Sequence, residues 1–260
     1  LSQAFIAMHW GGEYLGGCSA NGTPTAGVNA LTSPVFCLSS KQPELKHAAV
    51  KILKAELPWR LLAMAWLPDD AALGVREQLR EAMGAFAFAA CVPFGRERTG
   101  VLLRAAAHEP APDALLARIA SLLGLEGAGV LRYADKRRGQ QRATKLGGSE
   151  ARLEAFLLAG DIRAEAWLRP LLQDGGSAAA FGRALLQGGE RPPVAVPARG
   201  RQVCSCFDVG EAAIAASLAR CQGSAEARLA QLQAALRCGT NCGSCLPELR
   251  RIVRLREHAA

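Results

Sequence analysis

The chain has 260 residues, half of them apolar, and a formal net charge of +8. This length favours more than one domain. The longest apolar stretch, residues 84–94, contains Pro93 and is shorter than the roughly 20 residues of a membrane-spanning helix, so no membrane partner is expected. The opening residues, LSQAFIAMHW, show no initiator Met and no signal peptide, which indicates a piece of a longer, cytoplasmic polypeptide.

The positive charge lies mainly in the second half of the chain. Residues 133–260 contain 19 Lys and Arg against 12 Asp and Glu, whereas residues 1–132 contain 12 against 11. The arginines come with no RNP, zinc-finger or helix-turn-helix signature, so we expect no nucleic-acid partner. A solvated Arg-rich surface is the favoured interpretation, and a docking face for an acidic redox partner is the alternative.

The predicted elements change character along the chain. Residues 1–57 are rich in Gly, Ser, Thr, Asn and Pro and hold two strand-like stretches, FIAMHW and HAAVKIL. Residues 58–190 alternate strands with amphipathic helices and predict an α+β module of β-α-β-β-α-β character. Its predicted strands are WRLLAMAWL, FAFAACVPF, TGVLLRAAA, VLRYAD, QRATKL and RLEAFLLAG, and its predicted helices are ALGVREQLREAMG, PDALLARIASLLG, AEAWLRPLLQ and AAAFGRALLQ.

A stiff linker and a small helical domain follow this module. Residues 191–201 include RPPVAVPARG, whose three prolines mark a domain boundary. Residues 202–260 contain three helix-like stretches, DVGEAAIAASLARC, AEARLAQLQAALRC and PELRRIVRLREH. A domain of this size has a marginal hydrophobic core, so we expect a cofactor to stabilise it.

The cysteines of this last domain form two close pairs. Cys204 and Cys206 make a CxC pair, Cys242 and Cys245 make a CxxC pair, and 35 residues separate the two pairs. Four thiolates are the usual ligands of a 2Fe-2S cluster, and they also suit tetrahedral zinc. Nearby Gly239, Gly243 and Ser244 leave backbone N–H groups free to point at sulfur, and a helix begins directly after the second pair. Both features favour an anionic centre without excluding zinc.

The tail resembles a known family of iron–sulfur domains. CxC, a helical hairpin and CGTNCGSCLPEL, from Val203 to Val253, are similar to the bacterioferritin-associated-ferredoxin-like 2Fe-2S domain. Cys221 and Cys238 fall outside that pattern. Cys238, four residues before Cys242, is an alternative ligand, and a structural thiol at the end of a helix is the favoured interpretation. The resemblance implies that the cluster ligands are Cys204, Cys206, Cys242 and Cys245.

The first part resembles a second family. MHWGGEYLGG, VNALTSP and SSKQPELKHAAVKI, in that order, look like the end of the molybdopterin-dinucleotide-binding domain of the molybdenum oxidoreductases, especially the assimilatory nitrate reductases. YADKRRGQQRATKL and FLLAGD resemble the segment that joins this domain to the 2Fe-2S domain. The implied fold is an α+β multidomain chain: a partial β-barrel-type pterin segment, a central α+β module and a small helical 2Fe-2S domain.

The second resemblance also implies a partial site for molybdenum bis-molybdopterin guanine dinucleotide. Asn29 suits the amide-like edges of the pterin ring, and Lys46 suits the pyrophosphate. Cys37 and Leu38 depart from the family's usual Asp-Pro, which affects a local turn. The residues expected at or beside the cofactor are His9, Trp10, Asn29, Gln42, Pro43, Glu44 and Lys46.

Together the resemblances imply the C-terminal fragment of an assimilatory nitrate reductase. Electrons from a ferredoxin, a flavodoxin or an NADH-dependent reductase would enter at the 2Fe-2S domain. They would then pass through a 4Fe-4S cluster in the missing N-terminal catalytic portion to molybdenum, where nitrate becomes nitrite. No residue of this chain is expected to be catalytic, and the chain alone should not reduce nitrate. The alternatives are a standalone ferredoxin-like electron-transfer module and a zinc-stabilised scaffold domain.

Overall fold

The protein is described by a computed structural model covering residues 14–19, 22–27, 30, 34–43, 51, 53–95, 97–192, 194 and 200–257. The chain divides into two compact units, a sheet unit, Leu1–Ala195, and a cysteine unit, Val196–Ala260. Each unit has its own hydrophobic core. Among the described residues, no helix is both long and apolar enough to span a membrane.

The sheet unit is built on one seven-stranded antiparallel sheet with the strand order β1-β3-β4-β2-β7-β6-β5. Its strands are β1 (Leu15–Gly16), β2 (Trp59–Trp66), β3 (Phe88–Phe94), β4 (Gly100–Ala107), β5 (Val130–Asp135), β6 (Gln140–Gly147) and β7 (Arg152–Gly160). Its helices are α1 (Ala72–Met83), α2 (Asp113–Leu122) and α3 (Glu165–Asp174), with 3-10 helices at Lys136–Arg138 and Gly182–Leu186. The order of β3, β4, β2 and β7 is that of a split β-α-β fold, with the β5–β6 hairpin added before the last strand.

Strand β2 lies at the centre of the sheet and is buried on both faces. Leu61 and Ala63 point into a core shared with α1 and α2, and Leu62 and Met64, on the opposite face, are fully buried as well. On that opposite face α3 contacts β7, and the indole of Trp66 donates to the backbone oxygen of Leu172. A strand with helices on both faces reads as a continuous apolar run, as WRLLAMAW does. The α+β class is therefore confirmed for this unit.

Among the described residues of the first 57, one short strand joins the same sheet. Leu15 and Gly16 pair with Ala90 and Ala89 at the β3 edge. Gly17 follows with φ of 127°, and a Cβ there would lie 2.7 Å from the backbone oxygen of Ala87, so glycine is required. The described residues contain no closed barrel, and the barrel-type character expected for residues 1–57 is not confirmed. FIAMHW and most of HAAVKIL lie outside the described residues.

One predicted helix of the sheet unit differs from the structure. AAAFGRALLQ was expected to be α-helical, but only Gly182–Leu186 is helical, and it is a 3-10 helix. Gly182 has a φ of 46°, in the left-handed region, which a right-handed α-helix cannot contain. The backbone conformation of this glycine therefore prevents the continuous α-helix that the spacing of the apolar residues predicted.

The described residues of the cysteine unit form a two-stranded ribbon and three helices. Its elements are β8 (Gln202–Cys204), β9 (Val209–Gly210), α4 (Glu211–Leu218), α5 (Ala225–Leu236) and α6 (Leu246–Glu257). The ribbon was not expected, and it delays the first helix to Glu211 because Val209 and Gly210 pair with β8. The buried core residues are Cys204, Val209, Ile214, Leu218, Leu232, Cys238, Cys245, Leu249 and Val253.

Candidate metal centre

The CxC pair lies where the ribbon turns. Cys204 is the last residue of β8, and Cys206 lies in the turn that leads to β9. Asp208 closes this turn with a φ of 50° and accepts a hydrogen bond from Gln202. Asp tolerates the left-handed region better than most residues. The ribbon therefore fixes the direction in which both thiols point.

The CxxC pair lies in the loop between α5 and α6. Arg237 ends α5 with a φ of 56°, and Gly239 and Gly243 follow with φ of 81° and 73°. The φ of Gly239 is one that residues with a side chain rarely adopt, so glycine is favoured at this turn. Helix α6 begins at Leu246, directly after Cys245. These turns bring the second pair of thiols back to the first.

The four thiols meet as two pairs, each with one member from each motif. The Sγ atom of Cys206 donates to the Sγ atom of Cys242 at 3.2 Å. The thiols of Cys204 and Cys245 interact closely enough to lower the pKa of Cys204 and to raise the pKa of Cys245. Cys204 and Cys245 are buried, with 2% and 6% of their surface exposed, whereas Cys206 is half-buried and Cys242 is exposed. The site thus has a buried side and a solvent-facing side.

Different groups support the two sides. Burial raises the pKa of Cys204, but hydrogen bonds from the backbone N–H groups of Gly239 and Phe207 outweigh it and lower the pKa overall. Burial raises the pKa of Cys245 to about 11. On the exposed side, the hydroxyl and backbone N–H of Ser244 lower the pKa of the Cys242 thiol to about 7. Hydrogen bonds to sulfur stabilise the thiolate, which is the form that binds metal.

An ion-pair network lies at the start of α6. Arg201 binds both Glu211 and Glu248, and Arg251 binds Glu248 with an N–O distance of 2.8 Å. The guanidinium of Arg237 lies over the ring of Phe207, 4.8 Å from its centroid. The carboxylates of Glu211 and Glu248 are thus neutralised, and Phe207 holds a cation beside the CxC turn.

The donor set of four thiols suits a 2Fe-2S cluster, and four thiolates also suit a single tetrahedral zinc ion. Zinc needs four ligands around one point, with sulfur about 2.3 Å from the metal. A 2Fe-2S cluster instead uses two ligands for each iron. Two thiol pairs therefore suit the cluster.

One side-chain contact in this unit was not predicted from the sequence, and one buried thiol lies where a structural cysteine was expected. Ser244 was expected to free the backbone, and its N–H does bind Cys242, but its hydroxyl also lies 3.1 Å from the Sγ atom of Cys242. Cys238 is fully buried, and burial, followed by the nearby Cys204, raises the pKa of its thiol. The side-chain contact of Ser244 depends on a turn geometry that spacing alone does not define.

The expected pterin residues remain untested. Gln42 and Pro43 are exposed, and the backbone oxygen of Gln42 accepts from the N–H of Cys37 in a short turn. Neither residue makes a contact that points to a cofactor within the part of the chain that the structure describes. His9, Trp10, Asn29, Glu44 and Lys46 lie outside the described residues.

Comparisons with known proteins agree with the geometry of the cysteine unit. Residues 202–254 match the family of BFD-like 2Fe-2S binding domains. A 74-residue segment is 45% identical to a protein named nitrate reductase from Klebsiella oxytoca, and this match covers 27% of the chain and 8% of that protein. No solved structure matches the chain significantly. The comparisons therefore support a 2Fe-2S binding domain and a link to an oxidoreductase over a short region.

Proposed function

We propose that the cysteine unit binds a 2Fe-2S cluster through Cys204, Cys206, Cys242 and Cys245 and passes electrons one at a time within a nitrate reductase. The convergence of the two motifs into two thiol pairs carries this proposal, with Cys206 and Cys242 at 3.2 Å. The match of residues 202–254 to 2Fe-2S binding domains supports it. The cluster, when bound, accepts and releases one electron.

The protein's own groups prepare the four thiols for this role. The ribbon and the glycine turns hold the thiols in place before metal arrives, and backbone N–H groups stabilise Cys204 and Cys242 as thiolates. Burial of Cys204 and Cys245 excludes water from one side of the site. The exposure of Cys242 leaves the other side open to a redox partner.

The parent protein in this proposal is an assimilatory nitrate reductase. The similarity to a nitrate reductase over a short segment supports the enzyme class. Nitrate would be reduced by two electrons at molybdenum bound by bis-molybdopterin guanine dinucleotide. His9, Trp10, Asn29, Gln42, Pro43, Glu44 and Lys46 would form part of that pterin site. The catalytic portion, with its 4Fe-4S cluster, would be supplied by the polypeptide N-terminal to this chain.

The electron donor in this proposal is a ferredoxin, a flavodoxin or an NADH-dependent reductase in the cytoplasm. The cysteine unit has nine Arg against five Asp and Glu, a basic balance that suits an acidic donor. Arg237 and Arg250 are exposed and form no ion pair with any described residue. Both are therefore available to a partner, and Arg237 lies beside the CxC turn.

Absorption and EPR spectra of the anaerobically purified chain, with iron and zinc quantified, test the proposal. We expect a brown protein with about two irons per chain that is EPR-silent until dithionite gives one S = 1/2 signal. Cys242→Ser should lose the signal, whereas Cys221→Ser, outside the two motifs, should keep it. A colourless protein with about one zinc would support the scaffold domain and overturn the electron-transfer function.

A further inference from the structure

The exposed side of the cysteine site includes one side-chain contact that the ligand motif does not require. The Oγ atom of Ser244 lies 3.1 Å from the Sγ atom of Cys242, within the range of a hydrogen bond to sulfur. Either atom can be the donor when Cys242 is a thiol. A metal-bound thiolate has no proton, so the serine hydroxyl must then donate.

This contact distinguishes the two sides of the site. Backbone N–H groups of Gly239 and Phe207 support Cys204 on the buried side. On the exposed side, Ser244 supports Cys242 with a side chain as well as with its N–H. A backbone donor is present whichever residue other than proline occupies the position, whereas a hydroxyl is lost in a single substitution. The hydroxyl is therefore a separate and adjustable influence on the solvent-facing sulfur.

We propose that Ser244 is a positioning residue whose hydroxyl donates to the Cys242 thiolate and raises the reduction potential of the cluster at its solvent-exposed side. This inference rests on the proposed 2Fe-2S function. Reduction adds one electron to the cluster and its sulfurs and breaks no bond, so negative charge on sulfur increases. A donor to sulfur stabilises the more negative, reduced state more than the oxidised one, and hydrogen bonds to sulfur set cluster potentials in this way.

The contact between Ser244 and Cys242 lies on the side of the cluster that an external electron donor can reach. Cys242 is exposed and Cys206 is half-buried, whereas the other two thiols are buried. An external donor therefore approaches the Cys206–Cys242 side. A higher potential favours acceptance of an electron from a donor of given potential. Ser244 thus raises the reduction potential of the cluster from the side through which we expect electrons to enter.

The CxC motif provides a matched control. Ser205 stands between Cys204 and Cys206 as Ser244 stands between Cys242 and Cys245. Ser205 is exposed, and its hydroxyl makes no hydrogen bond to any residue that the structure describes. Ser205→Ala and Ser244→Ala thus remove the same group from two exposed turns, and only one of these groups contacts sulfur.

The experiment is an EPR-monitored redox titration of the whole chain, with iron content measured for every variant. For Ser244→Ala we expect the equilibrium constant of reduction to fall on the order of tenfold, equivalent to about 59 mV for one electron. Ser244→Thr, which keeps a hydroxyl, should stay close to the parent chain. Ser205→Ala should not change the potential. An unchanged potential in Ser244→Ala, or an equal fall in Ser205→Ala, would overturn the inference.

A second measurement covers the case in which Ser244→Ala does not bind iron. Resonance Raman spectra of the unsubstituted chain in H₂O and D₂O should show a deuterium shift of iron–sulfur stretching modes that Ser244→Thr keeps and that Ser244→Gly, which retains only the backbone N–H donor, reduces. Absence of such a shift in the parent chain would overturn the inference while leaving the cluster intact. An unsubstituted chain that holds zinc and no iron would overturn both the proposed 2Fe-2S function and this inference. Failure of the proposed function is therefore distinguishable from failure of the Ser244 inference alone.

Discussion

The sheet unit and the cysteine unit reach a stable core by different means. The sheet unit packs helices on both faces of a central strand, and its largest core cluster contains aliphatic and aromatic side chains with one cysteine, Cys91. The core of the cysteine unit has nine buried residues in the described part of the chain, of which Cys204, Cys238 and Cys245 are three. A third of the buried residues in the smaller core are therefore cysteines, and two of these three are proposed cluster ligands.

This difference shows where each unit gains its stability. Small domains bury a lower fraction of their surface and depend more on metals or cross-links than large ones. A metal that binds only the folded state adds its binding free energy to the stability of that state. We therefore expect the cysteine unit to depend on its cofactor and the sheet unit to be independent of it.

The largest expected effect follows removal of a buried ligand. Cys245→Ser should abolish the cluster and unfold the cysteine unit, because the site loses a thiolate and the core gains a hydroxyl. In differential scanning calorimetry we expect two transitions for the unsubstituted chain, one for each unit. Cys245→Ser should lose the transition of the cysteine unit and leave the transition of the sheet unit unchanged. Loss of both transitions in this variant would contradict the independence of the two units. Cys221→Ser is the control outside the cysteine motifs.

A large-to-small substitution in the sheet unit should destabilise that unit and leave the cluster in the cysteine unit intact. Phe156, in β7, is fully buried, and Phe156→Ala should lower the free energy of unfolding by about 3–5 kcal/mol through lost burial and a cavity. Urea unfolding followed by tryptophan fluorescence measures the change. The iron content and EPR signal should remain at the level of the parent chain. A fall in iron content would mean that the cysteine unit depends on the sheet unit.

Cys238→Ala sharpens the distinction between ligand and core cysteines. The thiol is fully buried but lies outside the two motifs, so its loss should cost about 1 kcal/mol of stability. Iron content and the EPR signal should be unchanged, in contrast to Cys245→Ser. Thermal unfolding of the cluster-loaded variant, beside an iron assay, measures both quantities. A variant without iron would identify Cys238 as a ligand.

The smallest effect is expected at the ion pairs of α6. Hydrogen bonds from Arg251 and then Arg201 lower the pKa of Glu248 from 4.5 to about 2. Because the folded-state pKa is below the unfolded value, the stabilisation is complete above pH 4.5 and is lost as the pH falls towards 2. Glu248→Gln should flatten this part of the pH dependence of unfolding. Glu226→Gln on α5 is a control, and an equal effect there would exclude a specific role of Glu248.

The sequence predicted most helices and strands of the sheet unit because the spacing of their apolar residues was clear. WRLLAMAWL and ALGVREQLREAMG match β2 and α1 closely, since the apolar run and the helical period each favour one structure. The 3-10 helix at Gly182–Leu186 was missed because a single glycine outweighed an apolar pattern. The β8–β9 ribbon was missed because its strands are two and three residues long, too short for a period to appear.

The sequence by itself determined which cysteines could act together, because CxC and CxxC spacing places thiols close along the chain. It also determined that a glycine, Gly239, stands in the turn after α5, where its φ of 81° is one that residues with a side chain rarely adopt. Only the tertiary structure decided that each thiol pair takes one cysteine from each motif, and that Cys242 is exposed while Cys204 is buried. The reason is that pairing, burial and the contact of Ser244 depend on how the ribbon and the α5–α6 loop pack together, and residues far apart in sequence define that packing.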